Sequence, residues 1–364
     1  MRNPLDILAE KQVKYSRIMI VVAIIVTAVM ATGVPRIRLE TDFQSSLPDT
    51  IPAVKTQDTV ESKFGSSNSI IVLFQTGENS LESSFVTDVR DPRLIRSQKF
   101  LVNELEKESN VGDIQSPSSF FQRKVPETMG KVKKVLSQVE AGTMFNRDYT
   151  ASLMYVQLTE EMTEENIRKA TSTINENLEQ TPMYPGVEIT VTGLPVIRTD
   201  MASILVSDSV RTIFAASILI LVLLVLTRGI LYGPVTFIPL FVGLIWTLGA
   251  MGMLGIPLTI ATIALGSMIL GLGVEYGSFI TERILREKQK LGIEQALKDS
   301  VPTTGMAILG SSSTTVIGFS ALLIASISFV RNLGLTLALG IVLTLIAALV
   351  FTPALIVEME RWKK

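Results

Sequence analysis

The sequence predicts a polytopic α-helical membrane protein with six spans and an α+β extracytoplasmic domain between spans 1 and 2. Two observations predict this class. Residues 18–31 carry no charge, and long apolar runs from residue 212 onward are broken only briefly. Helices of about 20 apolar residues cross the hydrocarbon core of a bilayer. Residues 35–201 between these regions hold most of the 33 basic and 34 acidic side chains, which predicts one large polar insertion.

The apolar runs divide the chain into seven segments. They are a cytoplasmic N-terminus (residues 1–17), span 1 (18–34), the extracytoplasmic domain (35–207), spans 2–4 (208–281), a cytoplasmic amphipathic helix (282–301), spans 5 and 6 (302–357) and a cytoplasmic C-terminus (358–364). Basic residues concentrate at both termini, at Arg228 and in the amphipathic helix, whereas the opposite short turns carry only Arg331. The positive-inside rule therefore predicts both termini in the cytoplasm of a cell membrane.

The polar insertion alternates short β-branched runs with helical periodicity. The predicted strands are residues 69–75, 110–116, 151–158 and 186–192, and the predicted helices are residues 93–108, 129–140 (an exposed helix) and 163–179 (capped at Thr163). Two β-α-β units in one sheet predict a ferredoxin-like module.

One acid lies inside the fourth predicted span. Glu275 is followed by Tyr276 and flanked by Gly271, Gly273 and Gly277. Acids within a span are costly because water does not reach them, and they often mark ion or proton pathways. Gly273 and Gly277 form a small-xxx-small pair, which predicts close helix contact beside the acid. The alternative is a structural acid that is hydrogen-bonded in the bundle or reaches the cytoplasmic interface.

Hydroxyl groups accompany this acid. Tyr276 is a candidate hydrogen-bond partner of Glu275. Ser278 shares the face of Glu275, and the fifth span contributes Ser311, Thr314 and Thr315. Together they predict a polar lining for waters or protons. Hydroxyls in helices also bond to carbonyls of the preceding turn, and this alternative stays open.

Composition excludes several chemistries. The chain has no Cys and no His, so disulfides, thiolate metal sites and imidazole bases are absent from it. No nucleophile–base pair, P-loop or metal cluster is visible, and we expect neither a cofactor nor enzymatic activity. The net charge of −1 argues against a nucleic-acid partner.

Four stretches carry a family resemblance: residues 192–196 (TGLPV), 271–277 (GLGVEYG), 302–318 (PTTGMAILGSSSTTVIG) and 351–355 (FTPAL). With these four stretches in this order, the chain resembles one half of a resistance-nodulation-division (RND) transporter of the MMPL, hydrophobe-exporter branch. The resemblance implies a sterol-sensing-like bundle of six spans and one porter domain. It also implies a proton relay at Glu275 and Tyr276, with Glu in place of the usual Asp.

The resemblance implies secondary active transport, in which proton or ion flux drives the export or movement of lipids or hydrophobic compounds. Members of the branch usually hold two such halves in one chain. A chain that holds only one transporter half implies a homodimer, a partnership with a second transporter half, or a truncated chain. We expect a two-fold homodimer in which Glu275 of each subunit faces Tyr276 of the other. The expected partners are a lipid or hydrophobic small-molecule substrate and membrane lipids.

Two other functions fit the same layout. Sterol-sensing-like bundles occur in lipid-binding regulators that transport nothing. Protein-export auxiliaries resembling SecD and SecF share the six-span arrangement, although TGLPV and GLGVEYG fit the exporter branch better.

Overall fold

The computed structural model divides the chain into two compact units. One comprises Met1–Val54 with Ala202–Lys364 and is called the helical unit here, and Lys55–Met201 form the α+β unit. The structure describes residues 4–40, 56, 69–77, 85–121, 124–138, 141–158 and 164–363. The cap predicted at Thr163 lies outside these residues.

The helical unit begins with two helices instead of the single predicted span. Helix α1 is Pro4–Lys14 and helix α2 is Ser16–Ala31, followed by the short strand β1, Leu39–Glu40. The N-terminal segment 1–17 thus contains a helix that the sequence analysis missed. Its buried residues Leu5, Ala9 and Val13 recur every four residues, which gives α1 one apolar face.

The α+β unit contains one four-stranded sheet. Its elements are β2 (Ile70–Thr76), α3 (Pro92–Leu105), β3 (Val111–Gln115), α4 (Met129–Gln138), β4 (Ala151–Leu158), α5 (Glu164–Gln180) and β5 (Val187–Thr192). The strands lie in the order β3-β4-β2-β5, and every neighbouring pair is antiparallel.

Burial alternates along the central strand of this sheet. Ile70, Val72 and Phe74 are fully buried and form one core with side chains of α3 and α5, as the period of two in a strand requires. Helix α4 was predicted as exposed, and this is wrong for one of its faces. Val132 and Leu136 are buried there against Ile95 and neighbouring aromatic residues.

The remaining helices of the chain are long. They are α6 (Leu194–Leu254), α7 (Leu265–Leu291), α8 (Ile293–Ser320) and α9 (Ser328–Trp362). Gly229, at φ 82° and ψ 168°, divides α6 into two limbs. Among the described residues, four helical segments are long and apolar enough to cross a membrane: Ser16–Arg36, Leu194–Leu254, Ile293–Ile324 and Ser328–Trp362. Helix α7 does not meet this criterion.

Two predicted boundaries are wrong. The amphipathic segment 282–301 is not one helix, because α7 continues to Leu291 and Gly292 turns the chain at φ 76° into α8. The last helix of the stretch predicted as spans 2–4 (208–281) begins only at Leu265, the start of α7. Strand β6 (Leu258–Thr259) pairs in parallel with β1, and a capped 3-10 turn at Ile260–Thr262 follows.

Charged side chains gather at one end of the helical unit. Arg228 contacts Glu282 at 2.8 Å, Lys288 contacts Glu360 at 2.5 Å, and Arg361 Nη2 donates to the carbonyl of Val13 at 2.7 Å. These contacts bring together the Arg228 turn, the start of the charged segment and both terminal helices. The prediction that these basic segments share one side agrees with this arrangement.

Helix α1 satisfies a backbone group that a proline leaves open in α9. Pro353 has no N–H, so the carbonyl of Leu349, four residues earlier, lacks its helical donor. The buried Gln12 side chain supplies one, with Nε2 2.7 Å from the Leu349 carbonyl and 3.2 Å from that of Val350. Helix α1 is therefore part of the bundle.

We predict that Gln12→Ala lowers the free energy of unfolding by about 1–3 kcal/mol, because it leaves the Leu349 carbonyl buried without a donor. Thermal unfolding in detergent measures this loss, with the exposed Gln295→Ala as the control. In a Pro353→Ala background, the restored N–H can donate to the carbonyl of Leu349. The Gln12→Ala substitution should therefore lower the free energy of unfolding by less than it does in the wild type. An equal cost in both backgrounds would contradict the explanation.

Candidate functional site on helix α7

Glu275 lies at the centre of the exposed face of α7. Met268, Gly271 and Phe279, at spacings of three and four residues, are exposed with it. Glu275 makes no hydrogen bond or ion pair with any residue that the structure describes. The alternative of a structural acid held by hydrogen bonds inside the bundle therefore has no contact to support it.

Tyr276 points away from Glu275, as adjacent residues of a helix do. Its side chain is 5% exposed and belongs to a core cluster with Ile280, Ile308 and Leu345. The structure therefore does not bring Glu275 and Tyr276 together within one chain. Their pairing across a dimer stays a prediction, and the burial of Tyr276 in its own bundle counts against it.

The predicted glycine pair permits close helix packing, but on a different face from Glu275. A Cβ at Gly273 would lie 2.5 Å from Thr344 Cγ2 of α9, and one at Gly277 would lie 3.1 Å from Thr236 Cγ2 of α6. A Cβ at Gly271 would meet no atom within 4 Å. The expectation that the Gly273–Gly277 contact shields the acid is thus corrected: this contact holds α7 in its own bundle.

Two hydroxyl groups of the predicted polar lining are engaged locally. Thr314 and Thr315 both donate to the carbonyl of Ser311, at 2.7 and 3.3 Å, which is the alternative that the sequence left open. Ser278 is half-buried, and Ser311 is exposed. Of these four residues, Ser311 borders the cleft described next.

A cleft of about 420 Å³ runs between α7 and α8. Its inner end is formed by Tyr276 and Ser311, and its charged end by Arg283 and Arg286. Its remaining lining residues are Phe279, Glu282, Thr304, Ala307 and Ile308. Because Phe279 follows Glu275 by one helical turn, the cleft lies one turn from the acid on the same side of α7.

The charges at the outer end of the cleft are paired. Glu282 accepts from Arg228 at 2.8 Å and from Arg286 at 2.5 Å, and Arg283 pairs with Glu287 at 3.1 Å. Arg283 and Arg286 both lie in the segment predicted as an amphipathic helix, and their spacing of eight and eleven residues from Glu275 places them about two and three turns further along the same helix. Within the described ranges, no group of three or more acidic side chains could hold a metal ion.

Comparison with known proteins identifies similar chains. The MMPL family pattern matches residues 45–364. The protein MJ1562 of Methanocaldococcus jannaschii is 32% identical over 353 residues, which are 94% of this chain and 91% of the relative. The siderophore exporter MmpL5 of Mycobacterium tuberculosis is 26% identical over 227 residues, 60% of this chain and 23% of MmpL5.

A third similarity concerns protein export. The translocase subunit SecDF of Brucella abortus biovar 1 is 28% identical over 159 residues, which are 43% of this chain and 21% of SecDF. The chain thus matches nearly all of the archaeal protein but less than a quarter of MmpL5 or SecDF.

The packing of α7 predicts opposite effects at two neighbouring glycines. Gly273→Ala should lower the free energy of unfolding by about 1–3 kcal/mol, because the added methyl overlaps Thr344. Gly271→Ala should be neutral or stabilising by up to about 1 kcal/mol, because the space is open and Ala favours the helix. Thermal unfolding in detergent measures both variants. Equal losses in the two would contradict this assignment of faces.

Proposed function

The chain belongs to the MMPL family, and we propose that it is a secondary active transporter, not an enzyme, that moves lipids or other hydrophobic compounds. Proton or ion flux through Glu275 drives the movement. One observation carries the proposal: an acid with no bond to any described side chain is centred on the exposed face of α7. A carboxylate there is costly next to hydrocarbon, whereas its protonated form is not. Taking up and releasing a proton changes the free energy of this face.

The cleft between α7 and α8 supports access to Glu275. It begins among charged side chains at one end of the bundle and ends within one helical turn of the acid. Water entering it reaches Tyr276 and Ser311, whose hydroxyls can donate and accept hydrogen bonds. In the proposed relay Glu275 binds the proton, and Tyr276 and Ser311 orient water at the inner end of the cleft.

The proposed topology has six spans, with the charged end in the cytoplasm. The spans are α2, the two limbs of α6, α7, α8 and α9. Helix α7 is less apolar than the others because its second half carries the charged cluster. The α+β unit is proposed as an extracytoplasmic, ferredoxin-like porter domain. Its strand order supports this, since the first and third strands of its β-α-β, β-α-β sequence are central and all pairs are antiparallel.

A homodimer is proposed to cover the exposed face around Glu275. The outer surface of α7 and α8 has open space at Gly271, Gly310 and Gly318, where a Cβ would meet no atom within 4 Å. Small residues on a membrane-facing surface let a second helix approach closely. A two-fold axis through this surface would place the two Glu275 side chains near each other and away from lipid.

The similarity to SecDF favours a second candidate, a protein-export auxiliary. The two candidates differ in what proton flux accomplishes: movement of an amphiphile across or out of the bilayer, or assistance to a translocating polypeptide. Loss of a lipid or hydrophobic compound from its normal compartment in cells lacking the protein, with normal protein secretion, would favour the first.

We predict that Glu275→Gln abolishes proton flux, because the amide does not ionise near neutral pH. The measurement uses proteoliposomes with an internal pH-sensitive dye and an imposed pH gradient. Glu275→Asp should retain part of the flux, since it still titrates. The exposed Glu294→Gln on α8 is the matched control and should behave as wild type. Undiminished flux in Glu275→Gln would overturn the assignment, whatever the flux of Glu294→Gln.

The dimer makes a separate prediction. Native mass spectrometry with lipids retained should give twice the 39.8 kDa chain mass for the wild type. Gly271→Trp should shift the population to monomer, because an indole prevents close approach of the second α7. Leu226→Trp, at an exposed position on α6, serves as the control for an added indole. A monomeric wild type would refute the dimer and leave the Glu275 prediction to be tested alone.

A further inference from the structure

A small basic cavity lies within the α+β unit. It has a volume of about 190 Å³ and three basic lining residues, Arg90, Lys133 and Arg147. Its other walls are Leu136, Ser137, Phe145, Asn146 and Tyr149. These residues come from three separate parts of the unit: the segment before α3, helix α4, and the turn before β4. The fold therefore assembles cations that the sequence separates by up to 57 positions.

One acid partly neutralises these cations. Asp88 accepts two hydrogen bonds from the guanidinium of Arg90, at 2.9 and 2.7 Å, and one from its backbone N–H at 2.9 Å, and it pairs with Lys133 at 3.0 Å. Burial raises the pKa of Asp88, but the hydrogen bonds from Arg90 and Lys133 lower it more, so its pKa lies below the ordinary value. Asp88 is therefore ionised at neutral pH, and three cations face one anion. Arg147 forms no ion pair with a described residue.

The guanidinium of Arg90 is held in place from two sides. Asp88 binds its Nε and Nη2 atoms, and the ring of Tyr149 lies below it, with the guanidinium carbon 3.3 Å from the ring centroid. Tyr149 adopts φ 56°, a left-handed conformation that is rare for a bulky residue. Asn146 fixes this turn, because its Oδ1 accepts from the backbone N–H groups of Thr150 and Ala151 at 2.9 Å. Contacts within the protein thus hold Arg90 and the turn that carries Tyr149 in position.

Charge and size together indicate the ligand. The excess of two positive charges matches a phosphate group, which carries about −1.5 to −2 near pH 7 as a monoester. The volume is below the range of about 300–1,000 Å³ typical of whole drug-sized ligands, so it accommodates a headgroup only. Arginine favours oxyanions of this kind because its planar fork donates several hydrogen bonds to them.

We propose that the cavity formed by Arg90, Lys133 and Arg147 is a phosphate-binding site of the α+β unit, for free phosphate or for a phosphomonoester headgroup of an amphiphile. The proposal of a phosphate site is based on these contacts and does not depend on transport. The proposal that the ligand is a headgroup rests on the proposed function. In that case the cargo is an amphiphile with a terminal phosphate, whose apolar part remains outside the cavity.

The test is isothermal titration of the full-length protein in nanodiscs of neutral lipid with inorganic phosphate and with short-chain, water-soluble phosphatidic acid. Arg147→Gln and Lys133→Gln should each weaken binding by roughly 10-fold or more, as loss of a charge-assisted hydrogen bond implies. Lys134→Gln, one residue along α4 and outside the cavity, is the matched control and should leave binding unchanged. Arg147→Lys should restore part of the affinity, because it keeps the charge.

The two ligands distinguish the sources. Binding of both, with competition between them, supports a headgroup site, and binding of inorganic phosphate alone supports a site for the free ion. Absence of binding for both ligands, or equal binding by wild type and the Arg147→Gln and Lys133→Gln variants when all melt at the same temperature, would overturn the proposal. Phosphate binding is measured without a proton gradient. A negative titration result is therefore distinguishable from a loss of Glu275-dependent proton flux.

Discussion

Much of the structure of the helical unit reflects one constraint: a polar group among the spans is costly unless it finds a partner inside the protein, because hydrocarbon provides none. Threonine and serine hydroxyls of α8 bond to carbonyls of their own helix. The carbonyl that Pro353 leaves without a donor receives one from Gln12, a residue of another helix. Charged side chains collect at one end of the bundle, where they pair. Glu275 departs from this pattern, since it is exposed and bonds to no described residue.

The sequence was sufficient to predict local structure in the α+β unit. All four predicted strands end within one residue of β2, β3, β4 and β5, because alternation and flanking turn residues are properties of short stretches. It was less informative for helix ends. Residues 282–301 carry charged side chains on both sides of Gly292, and this glycine, which follows Lys288 and Lys290 and takes a positive φ that other residues rarely adopt, was the one sequence signal for the break.

Which face a residue occupies was harder to predict than which helix carries it. Glu275, Tyr276 and Gly273 fall within four positions, and the sequence gives no sign of which neighbours α7 packs against. The structure directs Gly273 and Tyr276 toward α6, α8 and α9 and leaves Glu275 outside. The Arg90 cavity was missed for a similar reason: its cations lie far apart in sequence, and only the folded sheet and turn bring them together. Tyr149 carried no sequence signal, because its left-handed conformation is a property of the turn.

Under the proposed function, the exposure of Glu275 makes its protonation depend on what lies against the outer face of α7. If the face of α7 meets lipid, the acid is stable there only when protonated. If water reaches the face, it solvates the carboxylate. Under the proposed function, protonation of Glu275 and hydration of this face are therefore thermodynamically linked, and each shifts the other by the same free energy. An acid buried and hydrogen-bonded within its own bundle would lack this linkage, because its protonation would not depend on what lies against α7. Under the proposed function, the position of Glu275 on the outer face is the physical route from a proton gradient to a change at the surface of the bundle.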